Sequence, residues 1–185
     1  DQIQSIDIIG SEKIGIEGRV NFYEGVGAMR DLIQSHLLQL LAVVTMDLPE
    51  DLSDTASIHQ ARQTLLESIQ PAEPERAIRG QYKGYKSEVG SQESNTETYA
   101  ELNLRIESEA LSDVPIRIIS GKGLAEKKKE ISIKFGENNS KATNTLIFRI
   151  QPNEGIHIEL RVKEPNLERV IADANMDFSY SEAFK

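Results

Sequence analysis

One segment constrains the fold of this chain more than any other, because residues 28–46 place a carboxylate, Asp31, and an imidazole, His36, in an almost continuous apolar run. The apolar side chains of its second half cover nearly the whole circumference of an α-helix, which predicts a helix inside a domain. Asp31 and His36 lie roughly 140° apart around such a helix, so we expect them to flank a bound ligand. The alternative is that His36 is a core histidine hydrogen-bonded to a backbone carbonyl.

The composition indicates an ordinary globular protein and excludes several functional classes. With 185 residues, 38% of them hydrophobic and 28% charged, the chain is long enough for one domain with a core. It has no apolar run of about 18 residues and no signal segment, so we predict no membrane partner and a cytoplasmic location. It has no cysteine, and its three histidines lack the spacing of metal ligands, so we predict neither disulfides nor a metal site.

The net charge of −9 argues against nucleic acid as a partner, because nucleic acid binding depends on clustered Lys and Arg side chains. A small anionic substrate requires only a local concentration of cations. The one dense basic patch is residues 127–129, a few residues after Lys122. The alternative is that Lys128 and Lys129 belong to a solvated surface, as most charge runs do.

Hydrophobic periodicity predicts an α+β fold, in which helices pack on one face of a large, mainly antiparallel sheet. A second helix is expected to start near Asp54. Residues 71–92 are predicted to form a long excursion of the chain within the domain rather than a linker between domains. His59 is expected on a polar helix surface, and His157 on the polar face of a strand, either solvated or at a subunit contact. Alternating apolar and polar residues predict strands at residues 3–9, 100–106, 131–135 and 156–162. Residues 116–119, 144–151 and 175–180 are predicted to add further strands to the same sheet.

Several sequence blocks resemble, in their order and spacing, those of glucose-6-phosphate dehydrogenases. Around the predicted helix the blocks are Glu12-Lys13-Ile14-Gly15-Ile16-Glu17-Gly18-Arg19, Gly25-Val26-Gly27-Ala28-Met29-Arg30-Asp31 and Gln34-Ser35-His36-Leu37-Leu38-Gln39. The later blocks are Arg79-Gly80-Gln81-Tyr82, Thr96-Glu97-Thr98-Tyr99, Val114-Pro115, Ser120-Gly121-Lys122-Gly123-Leu124 and residues 149–156. Each block alone is a weak signal, but together they span nearly the whole chain.

The resemblance implies that residues 1–185 form a single α+β domain, which is most of the family's C-terminal domain, and that the N-terminal dinucleotide-binding domain is absent from this chain. It implies an NADP-dependent oxidoreductase that oxidises glucose 6-phosphate to 6-phosphogluconolactone in the pentose phosphate pathway. Because the absent domain holds most of the NADP site, the 185-residue chain alone is expected to be inactive. Family members assemble through this sheet, which implies a homo-oligomer, either a dimer or a tetramer.

By the same resemblance, His36 is the catalytic base, because a neutral imidazole can remove the C1 hydroxyl proton while hydride leaves for the nicotinamide. The substrate-binding residues are then Glu12, Asp31, Lys122, Lys127 and Gln151. Two alternatives stay open at this point. Asp31 could pair with Arg30 or cap a turn, and Gln151 could be an ordinary strand residue.

The sequence departs from the family pattern close to the predicted base. Val20 and Asn21 stand in place of a Gly-Gly pair, and Ser35 stands in place of the asparagine that usually precedes the base. The family's Asp-His-Tyr tract, whose carboxylate orients the base, is absent. The base is therefore present without its orienting group.

Two further points concern cofactor and assembly. Lys128 and Arg149 match basic residues of a second, structural NADP site in some family members, but Ile119 and Ser132 replace two others, so we do not predict that site. A competing hypothesis is a non-catalytic oligomerisation module built on the exposed face of the sheet.

Overall fold

The computed structural model describes residues 2–136, 144–165 and 170–184. The helical segments are α1 (Val20–Tyr23), a π-helix (Met29–Leu37), α2 (Leu38–Thr45), α3 (Thr55–Glu67), a 3₁₀ turn (Pro74–Arg76), α4 (Tyr85–Glu88) and α5 (Tyr180–Ala183). The strands are β1 (Gln2–Ser11), β2 (Ile78–Gly80), β3 (Tyr99–Leu104), β4 (Ile116–Gly121), β5 (Lys128–Gly136), β6 (Asn144–Gln151), β7 (Gly155–Lys163) and β8 (Ile171–Ser179).

The described strands form one sheet in the order β2-β3-β4-β1-β5-β6-β7-β8. All neighbours are antiparallel except β1 and β4, which run parallel. The predicted α+β class is thereby confirmed, and every segment with period-two alternation is a strand. The predicted start of the second helix is also confirmed, because Asp54 caps α3 by accepting a hydrogen bond from the Ala56 N–H at 3.0 Å.

The core lies between the centre of the sheet and the helical segments on one of its faces. Ile6 and Ile8 of β1 are fully buried in it, and Ile8 pairs in register with both Ile118 and Ile131. The intervening Asp7 lies on the opposite face and forms an ion pair with Arg117 at 2.7 Å. One residue of register shift would exchange these faces, so the alternation fixes the pairing.

Residues 28–46 do not form the uniformly buried α-helix that their apolar composition predicted. Met29–Leu37 is a π-helix, and only Leu38–Thr45 continues as an α-helix. His36 is exposed and Val43 is 52% exposed. The expectation was wrong because the helical run packs only one side on the sheet and leaves the other side uncovered.

The π-helix also changes the relation between Asp31 and His36. At its end, the Leu38 N–H donates to the carbonyl of Ile33, five residues earlier. This hydrogen-bond pattern winds more residues into each turn, so residues five apart lie closer together around the helix axis than in an α-helix. The separation of roughly 140° expected for an α-helix was wrong, since the α-helical period does not apply to this segment.

The outer strands extend beyond the helices. On the helix side of β8, Met176 is 60% exposed and Phe178 is 41% exposed. On the other side, Asp177 lies between Arg149 and His157, forming a 2.8 Å contact with the His157 imidazole. Among the residues that the structure describes, no helix has both the length and the apolar character needed to cross a bilayer.

A second, smaller core lies beneath the loop that follows β1. Its buried residues are Ile16, Tyr23 and Tyr85, so the excursion at residues 71–92 folds back onto this loop rather than leaving the domain. The Tyr85 hydroxyl donates to Glu24 at 2.5 Å, and the Ser94 hydroxyl donates to the same carboxylate at 2.8 Å. These hydrogen bonds, that of Tyr85 foremost, lower the pKa of Glu24 below its ordinary value.

We predict that Tyr85→Phe lowers the free energy of unfolding at pH 7 by about 1.5–3 kcal/mol, the usual range for a hydrogen bond to a charged group. A lowered native pKa stabilises the fold above the unfolded-state value, so this difference should shrink as the pH falls below 4.5, the ordinary pKa of the glutamate. Urea unfolding at several pH values measures it. Tyr180→Phe, at a half-exposed tyrosine, is the control. Equal loss at pH 7 and pH 3 would show that Glu24 is not involved.

Candidate active site

The centre of the candidate site is a buried lysine between two carboxylates. The Lys122 side chain is only 8% exposed, and its Nζ forms an ion pair with Glu12 and lies 3.5 Å from Oδ2 of Asp31. A lysine is rarely buried unless it is paired, so the two carboxylates account for the burial of Lys122. Three of the predicted site residues are thus brought into direct contact, including Asp31, whose predicted alternatives were a pair with Arg30 or a turn cap.

The parallel pairing of β1 and β4 creates this contact. Ser11 and Gly121 are partners at the carboxyl ends of the two strands, so the next residues, Glu12 and Lys122, emerge side by side at one edge of the sheet. The main chain continues the pairing past the strands, since the Glu12 N–H donates to Gly121 O and the Leu124 N–H to Glu12 O, both at 2.9 Å. The position of the ion pair is therefore set by the backbone.

Tyr82 packs against the loops that follow β1 and β4 and limits which side chains fit there. Gly123 has a φ of +66°, and a Cβ on it would lie 2.9 Å from the Tyr82 ring. The Tyr82 hydroxyl accepts a hydrogen bond from the Ile16 N–H at 3.2 Å and donates to Glu88. Position 123 therefore requires glycine on two grounds, the left-handed backbone and the tyrosine ring.

Tyr23 is a member of the cluster that the sequence did not single out. Its ring lies under Lys122, with the Nζ 5.5 Å from the ring centroid, and it is 1% exposed. Its buried hydroxyl has no hydrogen-bond partner among the described residues. Burial, followed by the charges of Asp31 and Glu97, raises the pKa of Tyr23, so it stays a neutral donor beside the carboxylates. No periodicity marks this residue, because α1, which carries it, is only four residues long.

His36 lies on the same π-helix as Asp31, but it faces solvent and makes no hydrogen bond to any described residue. The alternative of a core histidine bound to a backbone carbonyl is therefore wrong. An exposed imidazole on the helix that also carries Asp31 is accessible to a ligand and lacks a fixed tautomer until a partner arrives.

Lys127 and Gln151 lie outside the direct ion-pair contacts. Both are exposed, and both line a small cleft that also contains Glu12. Lys127 belongs to the basic patch at residues 127–129. Within this patch, Lys128 forms an ion pair with Glu130 at 2.5 Å, so one of the three lysines is already neutralised by a carboxylate. Glu12 therefore belongs both to the ion-pair cluster with Lys122 and Asp31 and to the cleft that Lys127 and Gln151 line.

Chemically, this arrangement suits a small polyhydroxylated anion. Carboxylates accept hydrogen bonds from hydroxyl groups, lysines attract anionic groups, and an exposed imidazole can accept or donate a hydrogen bond. No group of three or more potential metal ligands occurs among residues 2–136, 144–165 and 170–184. The described part of the chain also has a single parallel strand pair, β1 and β4, whose connection includes other strands, so it lacks the strand-helix-strand unit that holds a dinucleotide.

Comparisons with known proteins agree with this geometry. The family model described as glucose-6-phosphate dehydrogenase, C-terminal domain, matches residues 1–185 of this sequence. Glucose-6-phosphate 1-dehydrogenase of Borreliella burgdorferi is 39% identical over 99% of this chain and 43% of its own length. The cytoplasmic isoform of Solanum tuberosum is 34% identical over all of this chain and 38% of its own length.

Solved structures give the same result. A glucose-6-phosphate dehydrogenase in complex with glucose 6-phosphate superposes with a TM-score of 0.90 at 32% identity, covering 98% of this chain and 40% of that one. Glucose-6-phosphate 1-dehydrogenase from Mycobacterium avium gives 0.85 at 31% identity, covering 97% and 41%. The chain spans about two fifths of the length of these relatives, and it belongs to the glucose-6-phosphate dehydrogenase family as a C-terminal domain.

Proposed function

We propose that this chain is the substrate-binding and catalytic-base part of an enzyme that oxidises glucose 6-phosphate to 6-phosphogluconolactone with NADP, a reaction of the pentose phosphate pathway. The observation that carries the proposal is the contact of Lys122 with Glu12 and Asp31, on whose helix His36 also lies. A neighbour of the same fold is described as a complex with glucose 6-phosphate. On this proposal residues 1–185 act as one domain of a longer enzyme.

Binding of the sugar phosphate is divided between two groups of side chains. Glu12 and Asp31 accept hydrogen bonds from sugar hydroxyls, which need acceptors at fixed positions. Lys122 and Lys127 supply positive charge for the phosphate, and Gln151 offers an amide at the end of β6. Because Lys122 is already paired, its role combines attraction of the anion with orientation of the two carboxylates.

Catalysis requires removal of the C1 hydroxyl proton, and we assign this proton to the His36 imidazole. A positioned general base contributes roughly 10²- to 10⁴-fold, which corresponds to about 3–5 kcal/mol of barrier. His36 is exposed and free to receive a substrate hydroxyl, but a tautomer-fixing partner for it is absent from the described residues. We infer that another part of the enzyme supplies that partner.

NADP accepts the hydride from C1 in the proposed reaction. The described residues do not form a dinucleotide-binding unit, so we propose that NADP is held mainly by a part of the enzyme outside this chain. The contribution of this chain is restricted to the sugar phosphate and its proton. We further propose a cytoplasmic location, since two plant relatives are named as cytoplasmic isoforms.

His36→Asn in the complete enzyme should lower kcat by at least about 10²-fold with little change in KM, because loss of a base removes stabilisation of the transition state only. Steady-state assays of NADPH formation measure this. His59→Asn, at an exposed histidine of α3, is the matched control. The 185-residue chain alone is expected to show no activity in the same assay. A kcat close to that of the parent enzyme would exclude His36 as the base.

Lys122→Ala should act chiefly on binding and raise the KM for glucose 6-phosphate by about 10-fold or more, as expected for a lost charge-assisted contact. Lys83→Ala removes an exposed lysine and provides the comparison. The same assay with varied sugar phosphate and saturating NADP separates KM from kcat. An unchanged KM would remove Lys122 from the substrate site.

We also propose that the chain self-associates through the outer half of its sheet. The face of these strands that points away from the helices presents charged pairs such as Arg161 with Asp173 at 3.1 Å. A polar face with mixed charges suits a wet homo-oligomer contact. A dimer is the simplest closed assembly.

Arg161→Glu should shift the dimer towards monomer at about 100 μM, well above the roughly micromolar dissociation constant of a sizeable interface. Sedimentation velocity measures the shift, and raised salt should mimic it by screening the charges. Arg105→Glu reverses an exposed charge beside β3, at the opposite end of the sheet, and should have no effect. A parent chain that is strictly monomeric at this concentration would reject the proposed surface.

A further inference from the structure

The start of the π-helix lacks a capping side chain of its own. Its N-cap residue is Ala28, which has no side-chain acceptor, so the first N–H groups need partners from elsewhere. Glu97, two residues before β3, provides both partners. Its carbonyl accepts from the Ala28 N–H at 2.9 Å, and its carboxylate Oε1 accepts from the Met29 N–H at 3.0 Å. One residue therefore holds two consecutive N–H groups at the helix start.

The contact between Glu97 and the helix start is too close to accommodate another side chain. Gly27 has a φ of +69°, and a Cβ there would lie 2.5 Å from Oε1 of Glu97. The glycine is required both by its left-handed backbone and by the carboxylate packed against it. The helix start and the Glu97 carboxylate are thus fitted to each other.

The next residue, Thr98, holds the other side of the site. It is completely buried, and its carbonyl accepts from the Lys122 N–H at 2.8 Å. Its own N–H donates to Gly80 O, and its hydroxyl accepts from the Tyr82 N–H, both at 2.8 Å. Through two adjacent residues, Glu97 and Thr98, the backbone of Lys122 is connected to the start of the helix that carries Asp31 and His36.

We propose that Glu97 is a positioning residue, which fixes where the π-helix begins and thereby places Asp31 and His36 relative to Lys122. The inference rests on the proposed function of His36 as the base. A helix that starts elsewhere, or that relaxes to α-helical hydrogen bonding, turns His36 away from Asp31, because five residues span roughly 140° in an α-helix but about one turn in a π-helix. A displaced base slows proton removal more than it weakens binding.

The test uses two substitutions of similar volume in the complete enzyme. Glu97→Met removes the acceptor for the Met29 N–H, and Glu97→Gln keeps an oxygen that can accept it. Glu97→Met should lower kcat by about 10- to 10²-fold with less than about a 3-fold change in KM, the signature of a misplaced catalytic group. Glu97→Gln should restore most of the kcat. Glu93→Ala, at an exposed glutamate of the same loop, should match the parent.

A second readout separates this inference from the proposed function. Hydrogen exchange of the peptide covering residues 28–37 should be faster in Glu97→Met than in the parent and in Glu93→Ala. If the parent enzyme fails to oxidise glucose 6-phosphate, the proposed function is rejected, while faster exchange alone would still support the anchoring of the helix.

Two results would overturn the positioning role: parental kcat in Glu97→Met, or a loss of kcat that occurs without faster exchange. If Glu97→Met does not fold, Glu97→Asp replaces it. Its carboxylate is one methylene short of the Met29 N–H, and it should show the same selective fall in kcat.

Discussion

The ion pair of Lys122 with Glu12 and Asp31 is the interaction on which the rest of the site depends. A buried ammonium group has a large desolvation cost unless carboxylates or hydrogen bonds surround it, so this lysine can occupy its place only where both carboxylates are already held. The parallel edge of β1 and β4 holds one carboxylate, and the π-helix holds the other. The sheet topology and the position of the π-helix therefore together determine where the Nζ of Lys122 lies.

The strands were predictable from the sequence because their periodicity is local and strong. Alternation such as Ile156, Ile158 and Leu160 against His157 and Glu159 can be read without any knowledge of strand order, and it places β7 correctly. The cap of α3 was predictable for a similar reason, since a side chain and the backbone amide two residues later form it. Both of these expectations rest on local determinants, and both were confirmed.

The site was predictable only in part, because its determinants are not local. Resemblance to a family indicated Glu12, Asp31 and Lys122, but no spacing rule shows that positions 12 and 122 meet, since that depends on which strands pair in parallel. The π-helix was missed because apolar spacing reports which side is buried and not which carbonyl each N–H selects. Tyr23 was missed because the four-residue helix α1, which carries it, is too short to show a periodicity. The catalytic role of His36 stays a prediction, and so do the substrate-binding roles of Glu12, Asp31, Lys122, Lys127 and Gln151.

The parallel pairing of β1 with β4 also bears on the way this domain folds. The contact between Glu12 and Lys122 joins residues 110 positions apart in the chain, and so does the pair of Asp7 with Arg117. Closing so long a loop carries an entropic cost that is recovered only when both strands are in register, so contacts of this kind form slowly. The helices and the β7–β8 hairpin depend on shorter loops. We infer that the lysine cluster is completed late in folding, so a chain with an intact site has already folded its central sheet.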